Sequence, residues 1–347
     1  MFRQGVYSAL VPPRFRVLHP ALFFVVAAWG LNFSMVKVTY LGFATALPVA
    51  HAPAAVTLLR YLGMWPIFAI AAWYESRWRI PRRQIGRVLL AQFVASGVYM
   101  ILFMEGMRLA GPGPAAVMLG FAPLSTILLS LVLRMEKFSW SLLGGTLLAT
   151  AGVVMVGLAA QTDSHSDPLG ILLLFISALT WGLSVVMSKP ILGEVKPFTM
   201  LAVGMPAALL LVTPYAWTAM GEVNWVAIAP NGWLGLAYLI LVAGVAAFWA
   251  YYRGLSDVGP AQTGLVQYLI PPVAAISGFL MLGQAMTPLE WVGMAVVIAG
   301  LAWARRETTT VPPPETLVPE EVSLTHEHVD ADDDQEDGER LPHDVRV

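Results

Sequence analysis

Apolar segments of about 20 residues follow one another along nearly the whole chain, and they restrict the possible folds more than any other feature. Each is long enough to cross the ~30 Å hydrocarbon core of a bilayer as an α-helix. Of the 347 residues, 57% are hydrophobic and 12% are charged, and the charged fraction is about half that of a soluble domain. The sequence therefore predicts an all-α integral membrane protein.

Glycine and proline separate these segments, as they do at helix ends. The predicted transmembrane helices cover residues 21–40, 54–74, 88–109, 113–134, 141–160, 169–189, 198–218, 232–252, 262–283 and 288–304. Ten crossings place both ends of the chain on the same side of the membrane.

Basic residues are concentrated in alternate connections between these helices. They are Arg77, Arg79, Arg82, Arg83, Arg87, Arg134, Lys137, Lys196, Arg253, Arg305 and Arg306. Cytoplasmic loops of membrane proteins carry such an excess of Lys and Arg. We therefore expect both termini to be cytoplasmic, with residues 1–20 forming a cytoplasmic N-terminal segment. The location expected for this multi-pass protein is the plasma membrane (bacterial inner membrane).

The chain repeats itself. The stretch from Trp29 to Lys37 returns at Trp181 to Lys189, with Trp, Gly, Leu, Met and Lys each matched at a shift of 152 residues. Residues 103–157 align without a gap to 251–305. Because each half has five predicted helices, an odd number, the two halves must have opposite orientations, as in many secondary transporters. We predict two inverted five-helix repeats, at 21–160 and 169–306, joined by an external linker at 161–168.

The last part of the chain has a different composition. Residues 307–347 hold 13 acidic and 2 basic residues, whereas the preceding part holds 9 acidic and 18 basic residues. A segment that is so charged and so poor in apolar residues cannot bury enough surface to fold alone. This pattern predicts a disordered, acidic, cytoplasmic tail.

Several of these marks together resemble the EamA family of the drug/metabolite transporter superfamily. They are the Trp-Gly-x-Asn/Ser-x-x-x-x-Lys phrase of helices 1 and 6, Arg60 in helix 2, the unit Gly106…Gly111-Pro112…Pro123 followed by Glu136, and its counterpart Gly254…Gly259-Pro260…Pro271. The resemblance covers residues 21–306 and implies a ten-helix transporter, often an exporter, of small metabolites, amino acids or drug-like solutes. One departure is Gln284, which stands where the second half should repeat Glu136.

Polar and aromatic residues near the middle of the predicted helices are candidates for a substrate cavity, because substrate sites in such folds lie near the midplane between the repeats. The candidates are Trp29, Asn32, Tyr99, Trp181, Ser184, Gln267 and Tyr268. Helix–helix packing is the alternative interpretation of each. Pro123 and Pro271 are helix-break candidates, since each proline leaves a backbone carbonyl without its helical donor.

Charged residues inside a bilayer cost at least ~2.5–3.5 kcal/mol each on insertion scales, and so need a reason. We predict an outer cluster of Lys37, Arg60 and Glu105, in which Glu105 pairs with one of the two cations and the cluster acts as a gate or binds a substrate carboxylate or phosphate. Lys189 and Arg253 are the corresponding candidates at the cytoplasmic end. Snorkelling explains Lys37 equally well, and a structural ion pair explains Arg60.

The sequence has none of the spacings that indicate catalysis, a metal site or a phosphate-binding loop. We therefore expect no enzyme, no cofactor and no nucleic-acid partner. The partners expected are the lipid bilayer, a small-molecule substrate and a coupling proton or counter-solute, with Glu105 as the candidate proton carrier. The favoured function is a secondary-active exporter working by alternating access, and the alternatives are a non-transporting scaffold or receptor and a channel.

Overall fold

The computed structural model describes residues 19–110, 118, 120–159 and 167–305, and these residues form helices and no strands. We number the main helices α1 to α10. They are α1 Pro20–Phe43, α2 Ala52–Ser76, α3 Arg82–Ala110, α4 Phe121–Val132, α5 Trp140–Ala159, α6 Pro168–Leu192, α7 Pro197–Gly221, α8 Pro230–Val258, α9 Pro260–Leu282 and α10 Pro288–Ala304. The acidic tail, the N-terminal segment up to residue 18 and most of the predicted linker lie outside the described residues.

Eight of these helices are long and apolar enough to cross a membrane. The two shorter apolar helices are α10, with 17 residues, and the described part of α4, with 12. The prediction of an all-α, multi-pass membrane protein is therefore confirmed. Ten crossings remain a prediction.

The largest extensions beyond the predicted limits are six residues long, at the start of α3 (residue 82 instead of 88) and at the end of α8 (residue 258 instead of 252). Helix α3 begins at Arg82 rather than at residue 88, because the first turns after the α2–α3 connection are helical although polar. Helix α8 continues past residue 252 to Val258, and Arg253 pairs with Asp257 one turn later at 3.0 Å. It ends at Gly259, whose φ of +86° is one that glycine adopts readily.

The main helix contacts are unchanged when the two halves are exchanged. Helix α5 packs on α10, and α2 packs on α7, so each of these pairs joins equivalent helices. Helix α1 packs on α8 and α9, just as α6 packs on α3 and α4. The internal repeat of the sequence is thus also a repeat of the packing.

Small residues allow α5 and α10 to approach closely. A Cβ atom added at Gly145 would lie 2.5 Å from the carbonyl oxygen of Gly300, and one added at Gly300 would clash with the backbone nitrogen of Ala149. Small faces provide this kind of contact in membranes, where lipid removes the hydrophobic drive between helices. The glycines of these two helices therefore serve packing.

One feature of the repeat was not visible in the sequence. Helices α3 and α8 each contain one wide turn of π-helix, at Phe93–Val98 and Leu241–Ala246, which are 148 residues apart. Such turns weaken the regular backbone ladder and are frequent at functional sites. Carbonyl groups of both turns accept side-chain hydrogen bonds: Tyr61 Oη donates to Ser96 O (2.9 Å), and Trp29 Nε1 donates to Ala243 O (3.0 Å).

Contacts between the connections define two ends of the helix bundle. At the end that we call the basic end, Arg83 of the α2–α3 side pairs with Glu194 of the α6–α7 connection (2.9 Å). At the opposite end, His51 next to α2 bonds to Glu222 after α7 (2.6 Å). Even-numbered connections thus contact each other, and so do odd-numbered ones.

Candidate functional site

A cavity of about 230 Å³ lies between the two repeats. It is lined by eight residues that the sequence singled out, namely Trp29, Asn32, Arg60, Tyr99, Pro123, Trp181, Gln267 and Pro271. On α1 the lining runs from Trp29 to Tyr40, and on α3 from Tyr99 to Met107. In both helices the cavity therefore extends from the middle towards the opposite end.

Aromatic rings form the inner end of the cavity, near the middle of the helices. The equivalent tryptophans of the two repeats, Trp29 and Trp181, meet with their ring centroids 6.0 Å apart, and Tyr251 lies 5.2 Å and 5.6 Å from them. Tyr99 contacts Trp181 at 5.1 Å. We call Trp29, Trp181, Tyr251 and Tyr99 the aromatic floor.

Hydrogen bonds fix the orientation of this floor. Trp181 Nε1 donates to Gln267 Oε1, and Gln267 Nε2 donates to the Tyr251 hydroxyl, both at 3.2 Å. Trp29 Nε1 donates to Ala243 O in the π-helical turn of α8. Gln267 is therefore committed on both sides of its amide to holding the rings.

Arg60 faces the cavity without a carboxylate partner among the described residues. Its Nη2 donates to Ala243 O at 3.2 Å, and its guanidinium carbon lies 6.0 Å from the ring centre of Phe248. Its Nε is buried and makes no hydrogen bond. The cation is held in place by a carbonyl and a ring, and its buried Nε donor has no partner among the described residues.

Asn32 adds an unpaired hydrogen-bond acceptor to the same cavity. Its Oδ1 is buried without a hydrogen-bond partner, and its side chain lines the same cavity. Buried polar groups in native structures are nearly always paired, so such exceptions need an explanation.

Most of the remaining lining is apolar and was missed by sequence reasoning. The residues are Phe33, Val36, Tyr40, Met100, Phe103, Met104, Met107, Ala122, Phe248 and Ile270. Four of them follow helical spacing on α3, from Met100 to Met107, and we call them the methionine wall: Met100, Phe103, Met104 and Met107. This spacing was available in the sequence, but it equally describes a face buried in the protein core.

Two candidate cavity residues do not line the cavity. The hydroxyl of Ser184 is buried and donates to Trp181 O at 2.7 Å, because a serine within a helix can bond back to the preceding turn. Tyr268 is fully buried, and its hydroxyl bonds to Thr150 on α5 at 2.7 Å. Both predictions of cavity contact are wrong for this conformation.

The predicted outer cluster does not form. Glu105 pairs with Arg108 (2.7 Å) and accepts a hydrogen bond from the Tyr215 hydroxyl (2.9 Å), so its pairing with Arg60 or Lys37 was wrong. The reason is the helical repeat: residues 99, 100, 103, 104 and 107 of α3 face the cavity, and residue 105 faces away. Lys37 is exposed and makes no hydrogen bond or ion pair with the described residues.

The two cationic candidates at the basic end, Lys189 and Arg253, both have partners on α8. Lys189 Nζ donates to the carbonyl oxygens of Leu255 (3.1 Å) and Ser256 (2.7 Å), at the end of α8. Lys189 and Arg253 do not line the cavity, and Arg253 is exposed and paired with Asp257.

A carboxylate that was not among the candidate residues, Glu136, lies beside this contact. It accepts a hydrogen bond from the backbone N–H of Ala261, in the first turn of α9, and interacts with Lys189. A Cβ atom on Gly259 would lie 2.9 Å from Glu136 Oε1, so glycine there leaves room for the carboxylate. Burial raises the pKa of Glu136, and the Ala261 N–H and Lys189 oppose that rise.

The two prolines differ in what surrounds them. Helix α9 is interrupted at Tyr268–Leu269, just before Pro271. Pro123 lies in the first turn of the described part of α4, and residues 111–117 before it lie outside the described residues. A break at Pro123 stays a prediction.

Two repeats of helices around a cavity within a multi-pass membrane protein define a solute-transporter type of architecture. A model of the EamA-like transporter family matches residues 19–158 and 168–306. The chain belongs to the EamA-like transporter family, whose model matches it twice.

Similar proteins carry transporter names. The chain is 25% identical to a probable terminal-alkyne amino-acid exporter of Streptantibioticus cattleyicolor, over 83% of this chain and 93% of that protein. It is 25% identical to the uncharacterized transporter YwfM of Bacillus subtilis, over 81% and 92%. It is 26% identical to the uncharacterized inner membrane transporter YedA of Escherichia coli K12, over 62% and 67%.

A solved crystal structure shares the fold, with a TM-score of 0.67 and 19% identity over 82% of this chain and 95% of that one. Family and relatives together point to a transporter, which is not an enzyme, in the bacterial inner membrane.

Proposed function

We propose that this protein is a secondary-active carrier that exports small organic metabolites, amino acids among them, by alternating access. The ten helices each cross the membrane once, the two repeats have opposite orientations, and both termini are cytoplasmic. The basic end then faces the cytoplasm and the opposite end faces outwards. The amino-acid exporter among the relatives supports the direction and the size class of the cargo.

The observation that carries this proposal is an asymmetric arrangement of equivalent residues. Lys189 is bonded to the end of α8, whereas its counterpart Lys37 is unpaired among the described residues. The cavity extends towards the end where Lys37 lies and is closed by the aromatic floor on the side of Lys189. In a molecule whose halves are equivalent, exchange of their conformations closes the open end and opens the closed one.

Two measurements test the function. Medium from cells overproducing the protein should be enriched in one or a few small solutes relative to medium from cells lacking it. Each solute found in this way, radiolabelled and loaded into proteoliposomes with the purified full chain, should exchange with saturation. Non-saturating flux would indicate a channel, and the absence of flux a scaffold or receptor, and either result contradicts the proposal.

The topology has its own test. Reporter fusions should place both ends of the chain in the cytoplasm. Ends found in different compartments would leave an odd number of crossings, and the two five-helix repeats could not then be inverted copies.

Because of Glu136, we expect the equilibrium between the present conformation and one open at the basic end to depend on pH. Its pKa is raised by burial in the present conformation, and in a conformation open at the basic end the carboxyl would be solvated and its pKa ordinary. A group with the higher pKa in one conformation stabilises that conformation at low pH, and this contribution is lost as pH rises through the raised pKa. Acidification should therefore favour the conformation closed at the basic end.

The measurement uses single cysteines, since the chain has none of its own. Met104 in the cavity wall is replaced by cysteine, and the rate at which an impermeant maleimide labels it is measured. This labelling rate is divided by the labelling rate of a Val49→Cys protein, because Val49 is 70% exposed. This ratio should rise as pH falls, and Glu136→Gln should remove the pH dependence. Glu136 interacts with Lys189, which also interacts with Asp257, and Asp257 in turn bonds to His19 and Arg253. An unchanged pH profile in the Glu136→Gln protein assigns the effect to one of them.

A further inference from the structure

A groove on the lateral surface of the bundle, between α3 and α7, shares no lining residue with the central cavity. Its volume is about 470 Å³, and its lining residues are all apolar: Leu89, Leu90, Phe93, Pro206, Ala207 and Leu210. The three leucines are exposed, Leu210 by 75%. Since the surface of a membrane-spanning bundle faces lipid, we expect hydrocarbon rather than water in this groove.

The packing of α3 on α7 explains why the groove is open only towards the surface. On the buried side the helices touch, because a Cβ atom on Gly97 would lie 3.0 Å from Leu211 Cδ1 and 3.5 Å from Ala208 Cα. On the lateral side Ala207 contributes only a methyl group. Pro206 lies inside α7, where a proline ring pushes against the preceding turn and removes a backbone hydrogen bond.

Two cations lie above the groove at the basic end. Arg82 precedes Leu89 by seven residues and Phe93 by eleven. Lys196 precedes Ala207 by eleven residues. Seven and eleven residues are close to two and three whole turns, so each cation lies on the helix face that borders the groove. At ~1.5 Å per residue, Leu89 lies about 10 Å below Arg82, within the acyl-chain region of one leaflet.

Neither cation has an ion-pair partner among the described residues. Arg82 and Lys196 are exposed and belong to none of the five ion pairs there. The nearby carboxylates have other partners. Glu194 pairs with Arg83 at 2.9 Å, and Glu75, which also interacts with Lys196, accepts hydrogen bonds from the first turn of α7. A positive charge therefore remains above an apolar groove, and this combination suits an anionic head group that carries an acyl chain.

The internal repeat does not require this combination. At the shift of 148 residues, Arg82 corresponds to Pro230, the first residue of α8, and Leu90 corresponds to Tyr238. The Tyr238 hydroxyl donates a hydrogen bond to Ala28 O on α1 at 2.9 Å. The second half thus has neither the cation nor the leucine at the equivalent positions, so both are features of the basic end rather than of the fold.

We propose that this groove binds one anionic phospholipid, with an acyl chain along the groove and the phosphate on Arg82 and Lys196. Basic pockets between membrane helices on the cytoplasmic side bind lipid phosphates in this way, and long cationic side chains reach the head-group level from helix ends. Phe93 is the first residue of the π-helical turn of α3, so the lipid contacts α3 where its backbone ladder is weakened. The inference does not depend on the proposed transport.

Binding is measured by native mass spectrometry of the purified full chain in detergent, with lipids added. The probes are phosphatidylglycerol and phosphatidylcholine with identical acyl chains, and glycerol 3-phosphate, which has the phosphate without the chains. One phosphatidylglycerol should bind at least about tenfold more tightly than phosphatidylcholine, since only its head group has a net charge for the two cations. Glycerol 3-phosphate should not bind measurably. Equal affinity for the two lipids, or binding of glycerol 3-phosphate as tight as that of phosphatidylglycerol, overturns the proposal.

The charge variant combines Arg82→Gln with Lys196→Gln, and its preference for phosphatidylglycerol should fall about tenfold or more. The matched control combines Arg134→Gln with Lys137→Gln, which removes the same charge from exposed positions at the same end of the bundle. The control should keep the preference. An equal loss in both double variants would mean that only the total charge matters, and the assigned site would be wrong.

Ala207→Phe fills the groove without a change of charge. It should weaken phosphatidylglycerol binding at least about tenfold, whereas Val132→Phe on α4, at a position that is 76% exposed, should not. Parental binding in folded Ala207→Phe protein would place the lipid outside the groove and contradict the proposal. A dimer of the parent protein that Ala207→Phe abolishes, without any lipid preference, would assign the groove to a second copy of the chain. The lipid series on the parent protein decides even where a variant fails to fold.

Discussion

Trp181→Ala is expected to abolish saturable transport while the chain still inserts into the membrane. Trp181 is 6% exposed, and its ring contacts Trp29, Tyr99 and Tyr251. Its indole N–H also occupies Gln267 Oε1. Truncation at this position therefore removes the residue through which the aromatic floor is connected.

Two costs combine in this variant. Truncation of a buried Trp to Ala destabilises a protein by about 3–5 kcal/mol, because apolar contacts are lost and a cavity is left. Leaving the Gln267 acceptor without its donor adds about 1–3 kcal/mol. We expect a lower melting temperature and an exchange rate reduced at least about a hundredfold. A free-energy cost of about 2.7 kcal/mol at the site is enough to reduce the rate by this factor.

The matched control is Trp217→Ala in α7. Trp217 is 71% exposed on the surface of the bundle, so its loss should leave both exchange and thermal stability near the parent values. Trp181→Phe separates the ring from the hydrogen bond: it should keep part of the stability and still impair exchange. Parental exchange in folded Trp181→Ala protein would show that the aromatic floor is not part of the transport pathway.

The sequence was sufficient to predict the helices and the repeat because both depend on local chemistry. Apolar length alone indicates a membrane helix, and the repeat of the Trp29 to Lys37 stretch is visible when the chain is compared with itself. Trp29 and Trp181 could be proposed for the cavity because each lies near the middle of its predicted helix. The structure places both at the junction of the repeats.

Side-chain partners were harder to predict, because they depend on helix rotation and on bonds within one helix. Glu105 was expected beside Arg60. It follows the cavity-lining residue Met104 on α3 and therefore lies on another face of the helix, where it contacts Arg108 and Tyr215. Ser184 was expected in the cavity, but its hydroxyl is satisfied by its own helix. The π-helical turns have no distinct sequence mark, although the one in α8 supplies the carbonyl that holds Arg60.

Lys189→Met and Lys37→Met are expected to shift the conformational balance in opposite directions. In this structure Lys189 donates two hydrogen bonds to carbonyls at the end of α8, the negative end of the helix dipole. Its accepting residues, Leu255 and Ser256, correspond to Met107 and Arg108 at the shift of 148 residues. When the two halves exchange conformations, Lys37 should therefore reach the carbonyls of Met107 and Arg108 and close the opposite end.

The size of each shift follows from the bonds that are lost. Hydrogen bonds to a charged group contribute about 1.5–3 kcal/mol, so each variant should change the ratio of the two conformations about tenfold or more. Lys189→Met should slow labelling of Met104→Cys from outside, and Lys37→Met should keep it at its maximum, both relative to Val49→Cys. Because one residue type is changed in the same way in both repeats, each variant is the control for the other. If both variants shift in the same direction, or if neither shifts, the two lysines do not close opposite ends in turn. Lys37 would then simply extend to the membrane surface.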